Sequence, residues 1–148
     1  MRTILRNSWQ HVPVTGPAAV RWFDAHVHLE RYGANEAAAM LARGDAAGVR
    51  AVLAVSTSVN SSERTVRLPA AVFRAVGLHP TRANEAKGDD WLARLRQLAG
   101  MPGVVAIGEA GCDTAGPGWP VQRACFIAQA GLARGLELAL ILHIDGEG

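Results

Sequence analysis

The sequence VVAIGE at residues 104–109 decides the fold, because four apolar residues lead directly into a glycine and a carboxylate. The run is continuous rather than alternating, which is typical of a parallel β-strand that is covered on both faces. Four more apolar runs of strand length are Val20–Val27, Ala51–Val55, Ala71–Val76 and Leu136–Leu142. The chain is therefore predicted to contain five parallel strands, with Val104–Ile107 as the fourth.

Helical segments are predicted between these strands. The predicted helices are Asn35–Ala47 before Gly48, a short helix capped by Ser61 or Ser62 and ended by Pro69, Trp91–Ala99 capped by Asp89 or Asp90, and a helix from Pro120 to Gly135 that carries Gln129 on its face. Strands and helices that alternate in this order indicate an α/β fold with a parallel sheet.

Two closures of such a sheet fit the pattern. A doubly wound open sheet needs only these five strands. A complete (β/α)₈ barrel needs roughly 250 residues, so this chain would supply about five of its eight β/α units. No GxGxxG or Walker sequence follows the first strand, which removes the main argument for a nucleotide-binding open sheet. Periodicity alone leaves both closures open.

Length and composition indicate one globular domain. The chain has 148 residues, of which 49% are hydrophobic and 19% charged. Residues 1–21 show no clear period and are predicted to form an N-terminal extension to a domain at 22–148. No apolar run reaches the roughly 20 residues of a membrane span, and the N-terminus has no apolar signal region. We therefore expect a cytoplasmic protein with no membrane partner.

Charge and cysteine content give weaker constraints. The formal net charge is +2, which permits a nucleic-acid partner without predicting one. Cys112 and Cys125 have no CxxC spacing, so each is expected to be a small buried hydrophobe rather than a metal ligand or redox group.

The first strand carries a group of possible metal ligands. Asp24, His26 and His28 alternate along it, so they are predicted to share one face of the strand. Two imidazoles at this spacing form half of a divalent metal site, and Asp24 could orient a ligand imidazole without touching the ion. Alternatively, these are polar residues at a strand end with no metal.

Two later strands end in further candidate ligands. Glu109 follows the fourth apolar run and His143 follows the fifth. Each alone would suggest an ordinary polar residue at a strand end. Together with His26 and His28 they fall at the carboxyl ends of parallel strands, where α/β barrels place their active sites.

The motifs as a set resemble the TatD family of metal-dependent hydrolases. The matching segments run from about Trp22 to His143 and are FDAHVHLE, AAGVRAVLAVSTS, AVGLHP, VVAIGEAGCD and VQRACFIAQAGLARGLELALILH. The resemblance implies a (β/α)₈ TIM barrel, of which this chain would form an incomplete part of about five β/α units.

The resemblance also implies a role for each candidate residue. His26, His28 and His143 match metal ligands, and Glu109 matches a catalytic carboxylate that can bridge two metals. His79 matches a histidine that binds the substrate phosphate, although it could also be an ordinary residue in the turn before Pro80. Asp113 matches an acidic residue close to the site that is not itself a ligand.

The implied activity is metal-dependent hydrolysis. One or two divalent ions, Mg²⁺, Mn²⁺ or Zn²⁺, would activate water and neutralise charge on a phosphodiester, and a site so rich in histidine favours Zn²⁺ or Mn²⁺. Many members of the family resemble deoxyribonucleases that act on DNA ends, so DNA ends are the expected substrate of the full-length form.

The pattern departs from the family after the fifth strand. The family supplies a further histidine and a further aspartate there, whereas only Ile144–Gly148 follow His143 here. Two alternatives therefore stay open. The protein could be an amidohydrolase-type enzyme that acts on another bond, or a non-catalytic metal-binding half-barrel that self-associates through its open edges.

Overall fold

A single parallel sheet forms the centre of the fold in the computed structural model, which describes residues 21–88 and 90–146. Its strands are β1 (Trp22–Val27), β2 (Val49–Val55), β3 (Phe73–Val76), β4 (Val104–Asp113) and β5 (Ala139–Asp145). Each strand pairs in parallel with the next one along the chain. A doubly wound sheet would reverse its strand order at a switch point, so the sequential order confirms a partial (β/α)₈ barrel.

Helices connect these strands in the predicted alternation. They are α1 (Ala34–Ala46), α2 (Val59–Thr65), α3 (Asp90–Ala99) and α4 (Trp119–Leu136), with short 3₁₀ helices at Leu29–Arg31 and Pro80–Glu85. None of the helices in the described part of the chain has both the length and the apolar character needed to cross a bilayer.

Several element boundaries differ from the prediction. β5 begins at Ala139 rather than Leu136, because α4 continues to Leu136 and ends where Glu137 adopts a left-handed conformation with φ 56°. β4 and β5 also run past Glu109 and His143, so neither residue ends its strand. The predicted extension at residues 1–21 and the predicted cap Asp89 lie outside the described residues, apart from Arg21.

The cap of α2 was wrongly predicted. Ser58, rather than Ser61 or Ser62, precedes the helix and accepts a hydrogen bond from the Ser61 backbone N–H at 3.0 Å. The Ser61 hydroxyl accepts one from the Ser58 backbone N–H in return, at 2.9 Å. This reciprocal capping box fixes the start of α2, and the helix ends at Thr65, before Pro69 is reached.

The sheet packs on both faces. The concave face buries mainly small side chains of β2, β3 and β4, among them Val55, Ala75 and Ala106. The opposite face is covered by α3 and α4, and Val76 and Ile107 pack there against Leu95 and Leu132. α1 covers the β1–β2 end of the same face. Burial on both faces explains why the strands read as continuous apolar runs.

The two outer strands leave the sheet open. Within the described residues, β1 pairs only with β2 and β5 only with β4. Large apolar side chains on these strands are exposed, with Phe23 52% and Ile144 74% accessible to solvent. The sheet therefore curls without closing.

The two cysteines differ in environment. Cys125 on α4 is buried, and burial raises the pKa of its thiol to about 11. Its expected role as a small hydrophobe is confirmed. Cys112 on β4 is only half-buried and lies beside Trp119 and Leu142.

A buried arginine on β3 binds the end of α2, the loop after α2 and the loop before β4. The Arg74 guanidinium on β3 donates to the backbone carbonyls of Thr65 (3.2 Å), Pro69 (2.9 Å) and Pro102 (2.8 Å), and to that of Leu68. Burial lowers the pKa of this guanidinium. Thr65 and Pro69 also accept hydrogen bonds from backbone N–H groups, whereas Arg74 is the donor to the Leu68 and Pro102 carbonyls.

We expect Arg74→Met to lower the free energy of unfolding by about 3 kcal/mol, because it removes four hydrogen bonds of a buried side chain and leaves the Leu68 and Pro102 carbonyls without this donor. Urea denaturation of the 148-residue chain would measure this. Arg96→Met on the exposed face of α3 is the matched control and should change stability by less than about 0.5 kcal/mol. Equal midpoints for the two variants would contradict the stabilising role of Arg74.

Candidate metal centre

The Glu109 carboxylate lies at the centre of four imidazoles. His26 Nε2 and His28 Nε2 lie 3.3 and 4.0 Å from its Oε2. His143 Nδ1 and His79 Nε2 lie 2.8 and 3.9 Å from its Oε1. Glu109 itself is 6% exposed. Each oxygen of one buried carboxylate therefore faces its own pair of imidazoles.

These residues form two adjacent groups with the composition of metal sites. His26, His28 and Glu109 form the first cluster, and His79, Asp113 and His143 form the second. Within each cluster the potential ligand atoms lie within 4.8 Å of one another. Imidazole nitrogens together with carboxylate oxygens are ligands suited to Zn²⁺ and Mn²⁺. Since Glu109 contacts His143 as well, it can be shared between the two clusters.

A β-bulge in β1 aims His26 and His28 into the centre. Asp24 is paired with Val52 and Val27 with Ala54, so β1 contains one residue more than β2 between these pairs. The extra residue changes which face the following side chains occupy. As a result, both imidazoles point towards Glu109.

The same bulge turns Asp24 away from the histidines. The prediction that Asp24 shares their face was wrong, because Asp24 lines a cavity of about 240 Å³ under α1 with Met40 and Leu41. Its carboxylate accepts a hydrogen bond from the His26 backbone N–H at 3.1 Å and does not contact either imidazole in this arrangement. Asp24 can fix the backbone of the bulge, but it does not orient a ligand ring.

A second bulge aims Glu109. Ile107 is paired with Leu140 and Ala110 with Leu142, so β4 also contains an extra residue between these pairs. Regular alternation would give Glu109 the same face as Ile107, which packs against the helices. Gly108 makes the bulge possible, since its φ is +127° and a Cβ there would lie 2.5 Å from the Ile141 carbonyl oxygen.

Hydrogen bonds fix the tautomers of two histidines. His28 Nδ1 lies 2.7 Å from the Val55 carbonyl oxygen and must donate to it, which leaves Nε2 bare for an ion. His79 Nδ1 instead accepts a hydrogen bond from the Thr81 backbone N–H at 3.2 Å. A neutral His79 therefore carries its proton on Nε2, and burial lowers the pKa of His79 although Glu109 opposes this shift. His79 is arranged to donate a hydrogen bond rather than to bind an ion.

Asp113 and His143 are directly linked. His143 Nε2 lies 3.0 Å from Asp113 Oδ2, while His143 Nδ1 contacts Glu109. The Ala115 backbone N–H lowers the pKa of the Asp113 carboxyl, and His143 adds to this shift. Because each nitrogen of His143 contacts a carboxylate, an ion that binds either nitrogen would replace the hydrogen bond made there.

Two arginines that were not predicted from the sequence border the centre. Arg31 and Arg82 line one cleft together with His28, His79 and Glu109, and with Thr57, Thr81 and His143. Each arginine follows one of the motif histidines by three residues. That spacing was the available signal, because a short 3₁₀ helix after each histidine returns the arginine to the site.

Comparisons with known proteins identify relatives of the whole domain. A family model described as TatD related DNase matches residues 23–147. An uncharacterised metal-dependent hydrolase TatD of Mycobacterium tuberculosis is 38% identical over 133 residues, which are 81% of this chain and 50% of that protein. A 3′-5′ ssDNA/RNA exonuclease TatD of Cronobacter turicensis is 40% identical over 109 residues, 70% of this chain and 41% of that protein. The chain thus spans about half the length of the curated relatives it matches.

Solved structures agree with the fold. A TatD homologue from Escherichia coli K12 superposes with a TM-score of 0.71 at 29% identity, covering 83% of this chain and 50% of that one. A TatD family hydrolase from Entamoeba histolytica superposes with a TM-score of 0.73 at 21% identity, covering 86% and 50%. The second likeness is one of fold alone.

We expect Glu109→Gln to weaken divalent metal binding by at least about tenfold, because it removes the charged oxygens that both clusters face. Isothermal titration of the 148-residue chain with Zn²⁺ or Mn²⁺ would measure this. Asp24→Asn is the control and should bind metal like the parent chain, since residue 24 faces α1 and the asparagine oxygen can still accept from the His26 backbone N–H. If Asp24→Asn lost affinity as strongly as Glu109→Gln, the assignment of ligands would be wrong.

Proposed function

This chain belongs to the TatD-related DNase family of metal-dependent hydrolases, and we propose that the whole protein hydrolyses phosphodiester bonds at the ends of nucleic-acid strands. The single observation that carries the proposal is the shared Glu109 carboxylate, with two imidazoles beside each oxygen and an arginine-lined cleft in front.

The positive rim favours a phosphate-bearing substrate over an amide. Arg31 and Arg82 both line the cleft, and guanidinium groups bind phosphate oxygens well. Arg82 also forms an ion pair with Glu85 at 2.8 Å, so the side chain is held near the cleft mouth. A neutral amide substrate would gain little from these charges.

The donor set supports one or two divalent ions. His26, His28 and Glu109 would hold the first, and Glu109 and His143 the second, with Asp113 against the other nitrogen of His143. Such ions lower the pKa of bound water and neutralise charge that grows on a phosphoryl group. The predominance of imidazole favours Zn²⁺ or Mn²⁺ over Mg²⁺.

The remaining residues of the site act on the substrate. His79 Nε2–H, fixed by Thr81 at the other nitrogen, donates to a non-bridging phosphate oxygen. Arg31 and Arg82 hold the phosphates that flank the reacting one.

Action at strand ends is supported by a relative rather than by this site. The Cronobacter turicensis protein is named a 3′-5′ ssDNA/RNA exonuclease. The chain matches 41% of that protein, so the proposal concerns the whole protein and not these residues alone.

A second candidate is a metal-binding module without turnover. The exposed apolar side chains of β1 and β5 favour it, because an open sheet edge can pair with another copy of the chain. Such a module would bind ions and self-associate, yet it would not cleave a phosphodiester.

We expect the complete reading frame that contains these residues to shorten a 3′-ended single-stranded oligonucleotide in Mn²⁺, with activity lost on chelation. His26→Ala and Glu109→Ala should lower the rate at least about a hundredfold, because each removes a ligand. Labelled-oligonucleotide gels would measure this, with Asp24→Asn as an active control. Bound metal without any cleavage would favour the non-catalytic module, and unchanged rates in both alanine variants would place the site elsewhere.

We also expect Arg31→Gln and Arg82→Gln to raise KM for the oligonucleotide several-fold with a smaller change in kcat, since they contact phosphates that do not react. The salt dependence of binding should become shallower in both variants. Arg67→Gln, on the exposed C-terminal side of α2, is the control. An unaltered KM in both variants would remove the argument for a phosphate substrate.

A further inference from the structure

Helix α4 presents two buried glutamines to the ends of neighbouring strands. Gln122 and Gln129 are seven residues apart, so they lie on the same face of the helix. Gln129 is fully buried and Gln122 is 5% exposed. A buried amide needs partners for both its oxygen and its nitrogen, and each glutamine finds them on the backbone beside the metal centre.

Gln129 holds the residue before His79. Its Oε1 accepts from the Leu78 backbone N–H at 2.8 Å, and its Nε2 donates to the Leu78 carbonyl at 2.9 Å. Both polar groups of one peptide residue are thus paired with one side chain. Leu78 lies just past the end of β3, and the next residue, His79, donates its backbone N–H to the Thr57 carbonyl at 3.0 Å.

Gln122 holds Asp113 in the same way. Its Oε1 accepts from the Asp113 backbone N–H at 2.8 Å, and its Nε2 donates to the Asp113 carbonyl at 2.9 Å and to that of Pro117. The Asp113 side chain is then free to reach His143.

The two contacts are joined by close packing. A Cβ on Gly116 would lie 2.7 Å from Gln122 Nε2 and 3.0 Å from the Pro80 carbonyl oxygen, so the loop after β4 fits between α4 and the turn after His79. Cys125 lies between the glutamines, and Gln129 Nε2 contacts its Sγ at 3.4 Å. One helix face therefore contacts the backbone at both strand ends.

We propose that Gln122 and Gln129 are positioning residues of the second cluster. Through Leu78 and Asp113 they hold His79 and Asp113 at the distances from His143 at which that cluster acts. The part of this inference that concerns ions rests on the proposed function. The part that concerns the positions of the side chains is independent of the proposed function, because it describes the metal-free chain.

A purely structural role for the glutamines can be distinguished from a positioning role by comparing their variants with another variant of α4. If they served only to fix α4 to the sheet, any variant that loosens α4 would have the same effect. Leu132→Ala is such a variant, since Leu132 is buried on α4 against the outer face of the sheet, away from the centre. It should lower the melting temperature without changing the histidine environments.

The experiment compares Gln122→Met, Gln129→Met and Leu132→Ala in the 148-residue chain. Methionine keeps the length of the side chain and removes both hydrogen-bonding groups. Imidazole ¹⁵N and ¹H shifts of the metal-free chains report the positions of His79 and His143. Titration with Co²⁺, followed by visible absorption and by equilibrium dialysis, counts the ions that bind. Gln122 lies in the first turn of α4, so its variant decides the question even if Gln129→Met fails to fold.

The expected result is a change in the His79 or His143 signals in each glutamine variant, with the Leu132→Ala spectrum unchanged at these residues. In Gln122→Met the first Co²⁺ ion should bind as in the parent chain, and the second should bind at least about tenfold more weakly, because Asp113 no longer orients His143. Histidine signals that stay unchanged in both glutamine variants, or that change equally in Leu132→Ala, would overturn the inference. A parent chain that binds no Co²⁺ would contradict the proposed function instead, and the spectra of the metal-free chains would still decide the role of the glutamines.

Discussion

A buried carboxylate that faces four imidazoles is the constraint on which the rest of this structure depends. Glu109 has 6% of its surface exposed, and a charge in such a place has to be matched by partners with good geometry. Those partners come from β1, from the turn after β3 and from β5, so the curvature of the sheet must bring these elements towards β4. The sequential strand order and the inward curl satisfy that requirement.

The strands satisfy it by departing from ideal geometry. β1 and β4 each contain one residue more than the neighbouring strand. The bulge in β1 lies beside the histidines that face Glu109, and the bulge in β4 includes Glu109 itself. Bulges of this kind redirect side chains at the cost of local pairing. Gly108 accepts a conformation that a side chain would resist. The regular parts of the same strands, such as Val76 and Ile107, keep their alternation and pack against the helices.

The fold and most of the site were predictable from the sequence because they depend on short continuous segments of the chain. Continuous apolar runs identified the five strands, and motif resemblance placed the residues that the structure brings together around Glu109. Asp24 was misplaced because strict alternation does not register an inserted residue. Gln122 and the two cleft arginines were missed, since their roles depend on contacts between elements far apart in the chain. The capping role of Ser58 was missed because Ser61 and Ser62 offered the same chemistry.

The exposure of β1 has a consequence for the stability of the site. Within the described residues this strand lies at an edge, and its histidines contact a carboxylate that is separated from them by more than half of the chain. Contacts of such long range are costly to form, because the loop that they close loses conformational entropy. An ion shared by His26, His28 and Glu109 would act as a cross-link across that loop and would favour the folded state by mass action. Fraying of the edge strand and release of such an ion would then be coupled.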